Sequence, residues 1–452
     1  MTSLPPNRAT TLKTAFRACD VGPLLGPDVE RYYVDLSAVR NTEAIEGVSA
    51  RLDFLEPAEF SSILFTGHRG CGKSTELRRI QHRWDAEYRV IYLEADAELD
   101  INDADYTDLY LIITKKVADE LYKLGAKFDT QLLHNFESWF KQITQETEET
   151  VEKSVSVSAT AEAGYEIPFL SKLLAKLQAQ IKGADKQKKT IRQTLQQDIG
   201  RLQADINLLL DDAFVKLRKH LPNYDKGFLI IFDNLDRVPP KVGNHLFFDY
   251  AAQLQGLHCT IIYTVPISVV YSPQNLSNAF DSPNIMPMVN IYDLVRDRWD
   301  LDYNPLGLAG IASIIEQRVD TEAVFDSREQ VLDLAKASGG HVRQLMQMTA
   351  KACLTAATRG HQKVTTEDVT YAVKQEQFNF ERIIPQNHYP VLAQVCLTKD
   401  IEKDETGQLM LFNTSVLEYN GTNRWNYINP VLKHSNAFQD ALKLAQRTSS
   451  TP

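Results

Sequence analysis

Eight consecutive residues, Gly67-His68-Arg69-Gly70-Cys71-Gly72-Lys73-Ser74, carry the most specific chemistry in this sequence. Gly67 and Gly72, with Lys73 and Ser74 directly after, match the pattern of a loop that cradles phosphate. Glycines let successive backbone N–H groups turn inward and approach phosphate oxygens closely. The start of the helix expected next, through Thr75 and Glu76, adds its partial positive charge. Lys73 has the reach to contact β- and γ-phosphates, and the Ser74 hydroxyl is a hard oxygen ligand suited to Mg2+. The flanks fit, because the apolar run Ser62-Ile63-Leu64-Phe65-Thr66 predicts a strand before the loop and Glu76-Leu77-Arg78-Arg79-Ile80 predicts a helix after it.

A second stretch supplies an acid. Phe228-Leu229-Ile230-Ile231-Phe232-Asp233 is a continuous apolar run, as expected of a parallel strand buried on both faces. Such a strand brings Asp233 to the Mg2+ shell beside the phosphate loop. The following residue is Asn234, whose amide can hold a water but cannot accept its proton. Asp236 is the nearest carboxylate able to substitute; alternatively Asp236 and Arg237 form an ion pair at a helix start.

The Asp233-Asn234-Leu235-Asp236-Arg237 string resembles the second acidic motif of the STAND and KAP families, regulatory P-loop NTPases of the AAA+ group. Many AAA+ ATPases carry Glu where Asn234 stands. The resemblance implies ATP and Mg2+ as cofactors and a slow, switch-like ATPase. It also implies that Thr264, at the end of the strand expected over Cys259 to Val265, senses the γ-phosphate. Ser338-Gly339-Gly340-His341-Val342-Arg343-Gln344-Leu345 resembles the lid turn that carries a second sensor arginine. An arginine at a helix start presents a fixed fork to phosphate, which singles out Arg343. Residues 266–286 contain no Lys or Arg where AAA+ rings keep a trans-acting arginine finger, leaving Arg296 and Arg298 as the nearest candidates.

The elements that must position these groups follow from pattern and punctuation. Residues 1–60, broken by Pro5-Pro6 and by Gly22-Pro23 to Gly26-Pro27, read as a lead-in ending in a helix over Ile45 to Leu55. Residues 61–140 and 226–300 hold the ATPase core, with a further strand at Arg89 to Leu93. The acidic stretch Glu94 to Asp108 lacks the glycine and closing Glu of a calcium loop and reads as a solvated face. Residues 141–225 form an insertion: a linker over 144–165, then helices broken near Gly183. Leu195, Ile199, Leu202, Ile206 and Leu209 are spaced 4-3-4-3, which predicts a protruding coiled-coil seam. The basic tip at 182–192 offers a contact for nucleic acid or an acidic partner. Pro239 to Leu254 reads as helix and Pro287 to Leu294 as strand.

Residues 301–378 read as a helical lid. Residues 379–452 resemble a winged-helix domain, with a helix over Tyr389 to Leu397, strands at Leu409 to Phe412 and Trp425 to Ile428, and Asn420-Gly421 at the hairpin turn. The expected fold is thus α/β: an AAA+-like parallel-sheet core with a helical coiled-coil insertion, a helical lid and a winged-helix-like domain.

Composition sets the outer limits. The chain has 452 residues, 43% hydrophobic and 24% charged, with a net charge of −10, which disfavours general coating of nucleic acid. The C-terminal 74 residues balance 7 Lys or Arg against 7 Asp or Glu, so docking suits this region better than DNA reading. Five scattered cysteines with no CxxC pair fit the reducing cytoplasm. No signal-like or membrane-spanning apolar segment is visible. Two roles follow from the resemblance. One is an ATP-dependent signalling or assembly switch with a protein partner or effector and nucleotide-dependent self-association, as in bacterial anti-phage defence. The other is a DNA-associated initiator- or transposition-like ATPase.

Overall fold

Apolar runs long enough to be buried on both faces favour parallel strands, and the chain forms Ser62–Gly67 (β1), Phe228–Asp233 (β3) and Thr260–Pro266 (β4) from such runs, with Arg89–Glu94 (β2) a half-buried edge strand. In the computed structural model, which describes residues 7–136, 174, 185–296 and 298–449, these join Asn284–Met286 (β5) in a five-stranded parallel sheet. The order is β2-β3-β4-β1-β5. The phosphate loop leaves the carboxyl end of β1, Asp233 closes β3, and β4 runs between them. Opposing residues are Phe65 and Thr264 across β1–β4, and Glu94 and Asp233 across β2–β3.

Alternation of side chains divides the core into two layers. Ile63, Phe65, Leu229, Ile231 and Ile262 face the helix Lys73–Trp84, the lead-in, the lid and the C-terminal region. Leu64, Ile230, Phe232, Ile261 and Tyr263 face the helices Tyr106–Lys123 and Ile199–His220.

The expected protruding seam is one of these layers. Leu195, Leu202, Ile206 and Leu209 are buried, and Ile199–His220 lies along Tyr106–Lys123 beneath the sheet. Asn207 pins it there, donating to the Gly256 carbonyl at 2.7 Å and accepting from the His258 amide at 3.0 Å. The 4-3-4-3 spacing was a sound sign of one apolar face, but the partner is the sheet and its neighbouring helix. The helix break falls at Asp198, between Asp185–Gln197 and Ile199–His220. The linker at 144–165 and Gly183 lie outside the described residues.

Part of the basic tip is neutralised. Lys188 pairs with Asp100 and Asp103 at 3.3 and 2.8 Å. Arg192 pairs with Asp103 at 3.1 Å and with buried Asp108. The acidic stretch read as solvated therefore holds its charges against this helix.

Beyond the sheet, helices Pro305–Arg318, Arg328–Ser338, Val342–Arg359 and Thr366–Ile383 form the lid. The C-terminal region runs through helices Tyr389–Thr398 and Glu405–Phe412, a hairpin of Val416–Asn420 (β6) and Arg424–Ile428 (β7), and helix Asn436–Ser449, a winged-helix-like order. Asn420-Gly421 sits at the hairpin turn as expected. Leu409 to Phe412, expected as a strand, is helical because Asp404 caps the Gly407 amide at 2.7 Å and the run buries Met410 and Leu411. The strand expected over Pro287 to Leu294 is shorter and earlier; Pro287 has no amide for the ladder, and Met288 instead donates to the Glu418 carbonyl at 3.0 Å. The helix expected over Pro239 to Leu254 forms in short pieces, including a wide-turn stretch at His245–Asp249. No described helix is long and apolar enough to cross a membrane.

If the Ile199–His220 seam is core, Ile206→Ala should lower unfolding free energy by about 2–5 kcal/mol in urea titration; a change below about 0.5 kcal/mol would restore the protruding-handle reading.

Candidate nucleotide site

The strand ends, the loop and the lid enclose a cleft of about 650 Å³, within the range of small-molecule sites. Its floor is the phosphate loop. Gly67, Gly70 and Gly72 all take positive φ, at 153°, 82° and 110°. Gly70 must be glycine for a second reason: a Cβ there would stand 2.5 Å from His341 and 2.7 Å from Arg343, because the lid closes on the loop at this point. The Arg343 amide donates to the Gly70 carbonyl at 3.0 Å. The amides of Gly70, Gly72, Lys73 and Ser74 have no protein acceptor among the described residues, which is the set of donors a phosphate group would take up.

Lys73 is almost wholly buried, and its ammonium donates to the Gly67 and His68 carbonyls at 2.8 and 2.9 Å. It also meets Asp236 Oδ2 at 2.8 Å. Burial is the largest single influence and works against the Lys73 charge, but Asp236, Cys71 and Asp233 together outweigh it and hold the pKa above the ordinary lysine value. Asp233, at the end of β3, accepts from the Tyr92 hydroxyl at 2.6 Å and from the Asn234 amide at 2.7 Å. Asn234 itself adopts φ +61° and donates through Nδ2 to Asp96 at 2.9 Å, while Arg237 pairs with the other Asp96 oxygen.

Thr264 lies beneath this turn rather than in the cleft. Its hydroxyl donates to the Phe232 carbonyl at 3.0 Å and accepts from the amides of Leu235 and Asp236 at 2.9 and 3.3 Å. It holds the turn that aims Asp236 at Lys73. Arg343 does line the cleft. Its guanidinium makes no hydrogen bond or ion pair among the described residues; burial, then the charges of Arg237 and Arg69, lower its pKa. Arg237 is paired with Asp96, whereas Arg343 has no carboxylate partner among the described residues and is free to meet an anion in the cleft. Arg296 and Arg298 are elsewhere, the first donating to the Thr398 carbonyl at 3.4 Å and the second paired with Asp302 at 2.5 Å.

Mg2+ fits the donors present. The Ser74 hydroxyl has no partner among the described residues, and Asp233 offers a carboxylate whose orientation Tyr92 and the Asn234 amide fix. Both are the hard oxygen ligands this ion takes, with phosphate and water completing its shell.

Several lining residues escaped the sequence reading. The lead-in supplies the apolar wall of Val21, Leu24, Val34 and Leu36, facing Ile314 and Met346 of the lid, a slot suited to a flat base. Leu24 is tied to the phosphate-loop helix through its amide and Thr75 Oγ1 at 3.2 Å. Arg40, also buried, donates to the Cys71 carbonyl. Glu94 and Asp96 come from the end of β2 and its exit, and Tyr92, one step back, reaches the cleft through Asp233; the only signal for them was that the strand beside β3 ends at Asp233's end of the sheet.

Two loop residues tie the loop to the C-terminal region. His68 is fully buried, and its Nε2 accepts the Glu418 amide of β6 at 2.8 Å. The Arg69 guanidinium lies over the Phe412 ring, 5.3 Å from its centroid. His341 caps the lid helix by accepting from the Gln344 amide at 3.2 Å.

No protein-family model matches the chain and no curated protein matches it. Among solved structures it is similar to Cdc6p from Pyrobaculum aerophilum, at 10% identity and a TM-score of 0.39, covering 95% of this chain and 98% of that one. It is similar to the ORC1 protein of Aeropyrum pernix, solved in complex with DNA, at 14% identity and 0.37, covering 94% and 96%. It is likewise similar to a Walker-type ATPase of Pyrococcus abyssi, at 12% identity and 0.42, covering 94% and 99%. These scores are low, and the functional reading below rests on the geometry of the cleft.

Burial, with help from neighbouring charges, pushes the His68 and His341 pKa values from 6.5 down to about 3. Both imidazoles are neutral in the folded chain and protonate near pH 6.5 once unfolded. Their contribution to stability is complete above pH 6.5 and is lost as pH falls towards 3, at about 1.4 kcal/mol per pH unit for each histidine. Urea midpoints measured from pH 7 to pH 5 should fall more steeply for the wild type than for His68→Gln; parallel slopes would contradict the buried neutral imidazole.

Proposed function

We propose that this chain is a Mg2+-dependent, AAA+-like ATPase that hydrolyses slowly and acts as a switch, passing nucleotide state from the phosphate loop to the C-terminal region. In this reading the free amides of the loop hold the β- and γ-phosphates and Lys73 exchanges Asp236 for phosphate oxygens. Arg343 meets the γ-phosphate from the lid, and Ser74 and Asp233 hold Mg2+, which neutralises phosphate charge. Thr264 acts one step back, by shaping the 234–236 turn.

The observation that carries the switch is the bond from the Glu418 amide to His68 Nε2. A residue of the phosphate-binding loop is thereby joined to a strand that reaches the lid as well. Tyr419 of the same strand donates to the Gly339 carbonyl at 2.6 Å, and Asn429 exchanges hydrogen bonds with Gln344 on the lid helix at 2.9 and 3.4 Å. Beneath it, buried Glu418 accepts from Tyr271, whose hydroxyl in turn accepts from Arg424 at 2.6 Å and Asn426 at 2.9 Å. A packed joint of this kind has few intermediate positions, so a shift of the loop moves the hairpin as a unit.

Adding ATP and Mg2+ should speed amide exchange at Glu418 and its neighbours in β6 in the wild type and leave it unchanged in Lys73→Ala, which should also lose ATP affinity by at least about 100-fold. Identical β6 exchange with and without bound nucleotide would remove the switch while leaving the ATPase.

For the downstream role, anti-phage signalling gains no support from the comparisons. DNA association is the second reading, favoured by the helix–hairpin–helix order of the C-terminal region. Against it stand the balanced charge of that region, the inward packing of both hairpin strands, and the ion pairs of Lys188 and Arg192. Filter binding to duplex DNA with ATP should therefore give weak retention at 50 and 200 mM salt; retention that is tight at low salt and falls about 1,000-fold across that range would favour the DNA reading.

A further inference from the structure

We propose that Glu94 accepts the proton of the attacking water, the task that Asn234 cannot perform. The proposal rests on reading the cleft as a nucleoside triphosphate site. Six carboxylates line that cleft: Asp20, Glu76, Glu94, Asp96, Asp233 and Asp236. Their partners separate them. Asp236 is held against Lys73 at 2.8 Å. Asp233 is bonded through both oxygens, to Tyr92 and to the Asn234 amide. Both oxygens of Asp96 are taken, by Asn234 and Arg237. Glu76 accepts from Tyr33 at 3.0 Å and from Arg79 at 2.7 Å. Asp20 belongs to the lead-in, where its Oδ1 accepts from the Gly22 amide at 3.3 Å, and not to a strand end.

Glu94 is different. Its Oε1 accepts from Arg78 at 3.2 Å, its Oε2 has no partner among the described residues, and its side chain is 48% exposed, enough to meet water. It closes β2 directly opposite Asp233 on β3. Tyr92, two residues earlier and so on the same face, reaches Asp233 with its hydroxyl, which shows that this face of β2 looks towards the Mg2+ ligand. Arg78 stacks on the Tyr92 ring, 3.4 Å from its centroid, while it holds Glu94. One arginine of the phosphate-loop helix thus orients both side chains. Asn234, tied to Asp96 through its amide nitrogen, keeps its carbonyl oxygen to accept a hydrogen bond from the same water.

The step balances without another reactant. The water oxygen bonds to the γ-phosphorus as the bond from that phosphorus to the β,γ-bridging oxygen breaks. The electron pair leaves with the nucleoside diphosphate. The water proton passes to Glu94 Oε2 and then to solvent, giving inorganic phosphate.

The test uses the full chain with Mg2+ and ATP, following binding by calorimetry and turnover by phosphate release. Glu94→Gln keeps the acceptor for Arg78 and sits at an exposed strand end, so it should fold with an unchanged Tm. It should bind ATP within about 3-fold of wild type and lose at least about 100-fold in kcat. Glu94→Asp should recover part of that loss. Wild-type kcat in Glu94→Gln overturns this proposal alone, whereas a wild type that binds ATP without turnover overturns it together with the ATPase reading. A wild type that binds no triphosphate overturns the reading of the site and this proposal with it.

Discussion

An ammonium group cannot be left bare in a protein interior, and the Lys73 charge is the constraint around which the cleft is arranged. Two loop carbonyls and the Asp236 carboxylate satisfy it. Asp236 can do so only because Thr264 anchors the turn after β3 through two amides and one carbonyl. The surrounding donors have no such relief: loop amides point inward and Arg343 stands unpaired near two other guanidiniums. A triphosphate would therefore not simply fill a vacancy in charge. It would displace an existing buried pair, and the cost of parting Lys73 from Asp236 offsets some of the gain from the new phosphate contacts. Occupancy would then be a change of partners for Lys73.

The same loop is held from behind. A Gly–x–x–x–x–Gly pattern constrains backbone, not the side chains between the glycines, and here those side chains have been put to structural use. His68 receives a strand amide, Arg69 covers Phe412, and Cys71 is buried with its carbonyl held by Arg40. An occupant of the cleft on one side of the loop and the hairpin on the other would share the same backbone, so neither could move it alone.

Where one physical rule dominated, the sequence was readable. Buried parallel strands leave uninterrupted apolar runs, and β1, β3 and β4 were visible for that reason; the loop glycines and Lys73 were visible because phosphate contact leaves so little choice of residue. Ile199 to Leu209 showed their apolar face, yet periodicity says nothing of what covers it, and the sheet took the place assigned to a second coil. Leu409 to Phe412 had strand-like composition, but the Asp404 cap and burial on two sides selected helix. Least legible was everything that depends on distant segments meeting: the lead-in as a wall of the cleft, Arg192 reaching Asp108, and His68 reaching Glu418, 350 positions away. No local pattern encodes such pairings.

The docking of β6 between loop and lid also bears on how such a chain can be inherited. A boundary drawn at residue 379 looks like a seam where one module could be exchanged for another. Yet a foreign C-terminal module would have to present a free amide to His68, a ring to Arg69, a hydroxyl to Gly339 and an amide side chain to Gln344. Recombination at that seam would leave buried polar groups orphaned on the side of the phosphate loop.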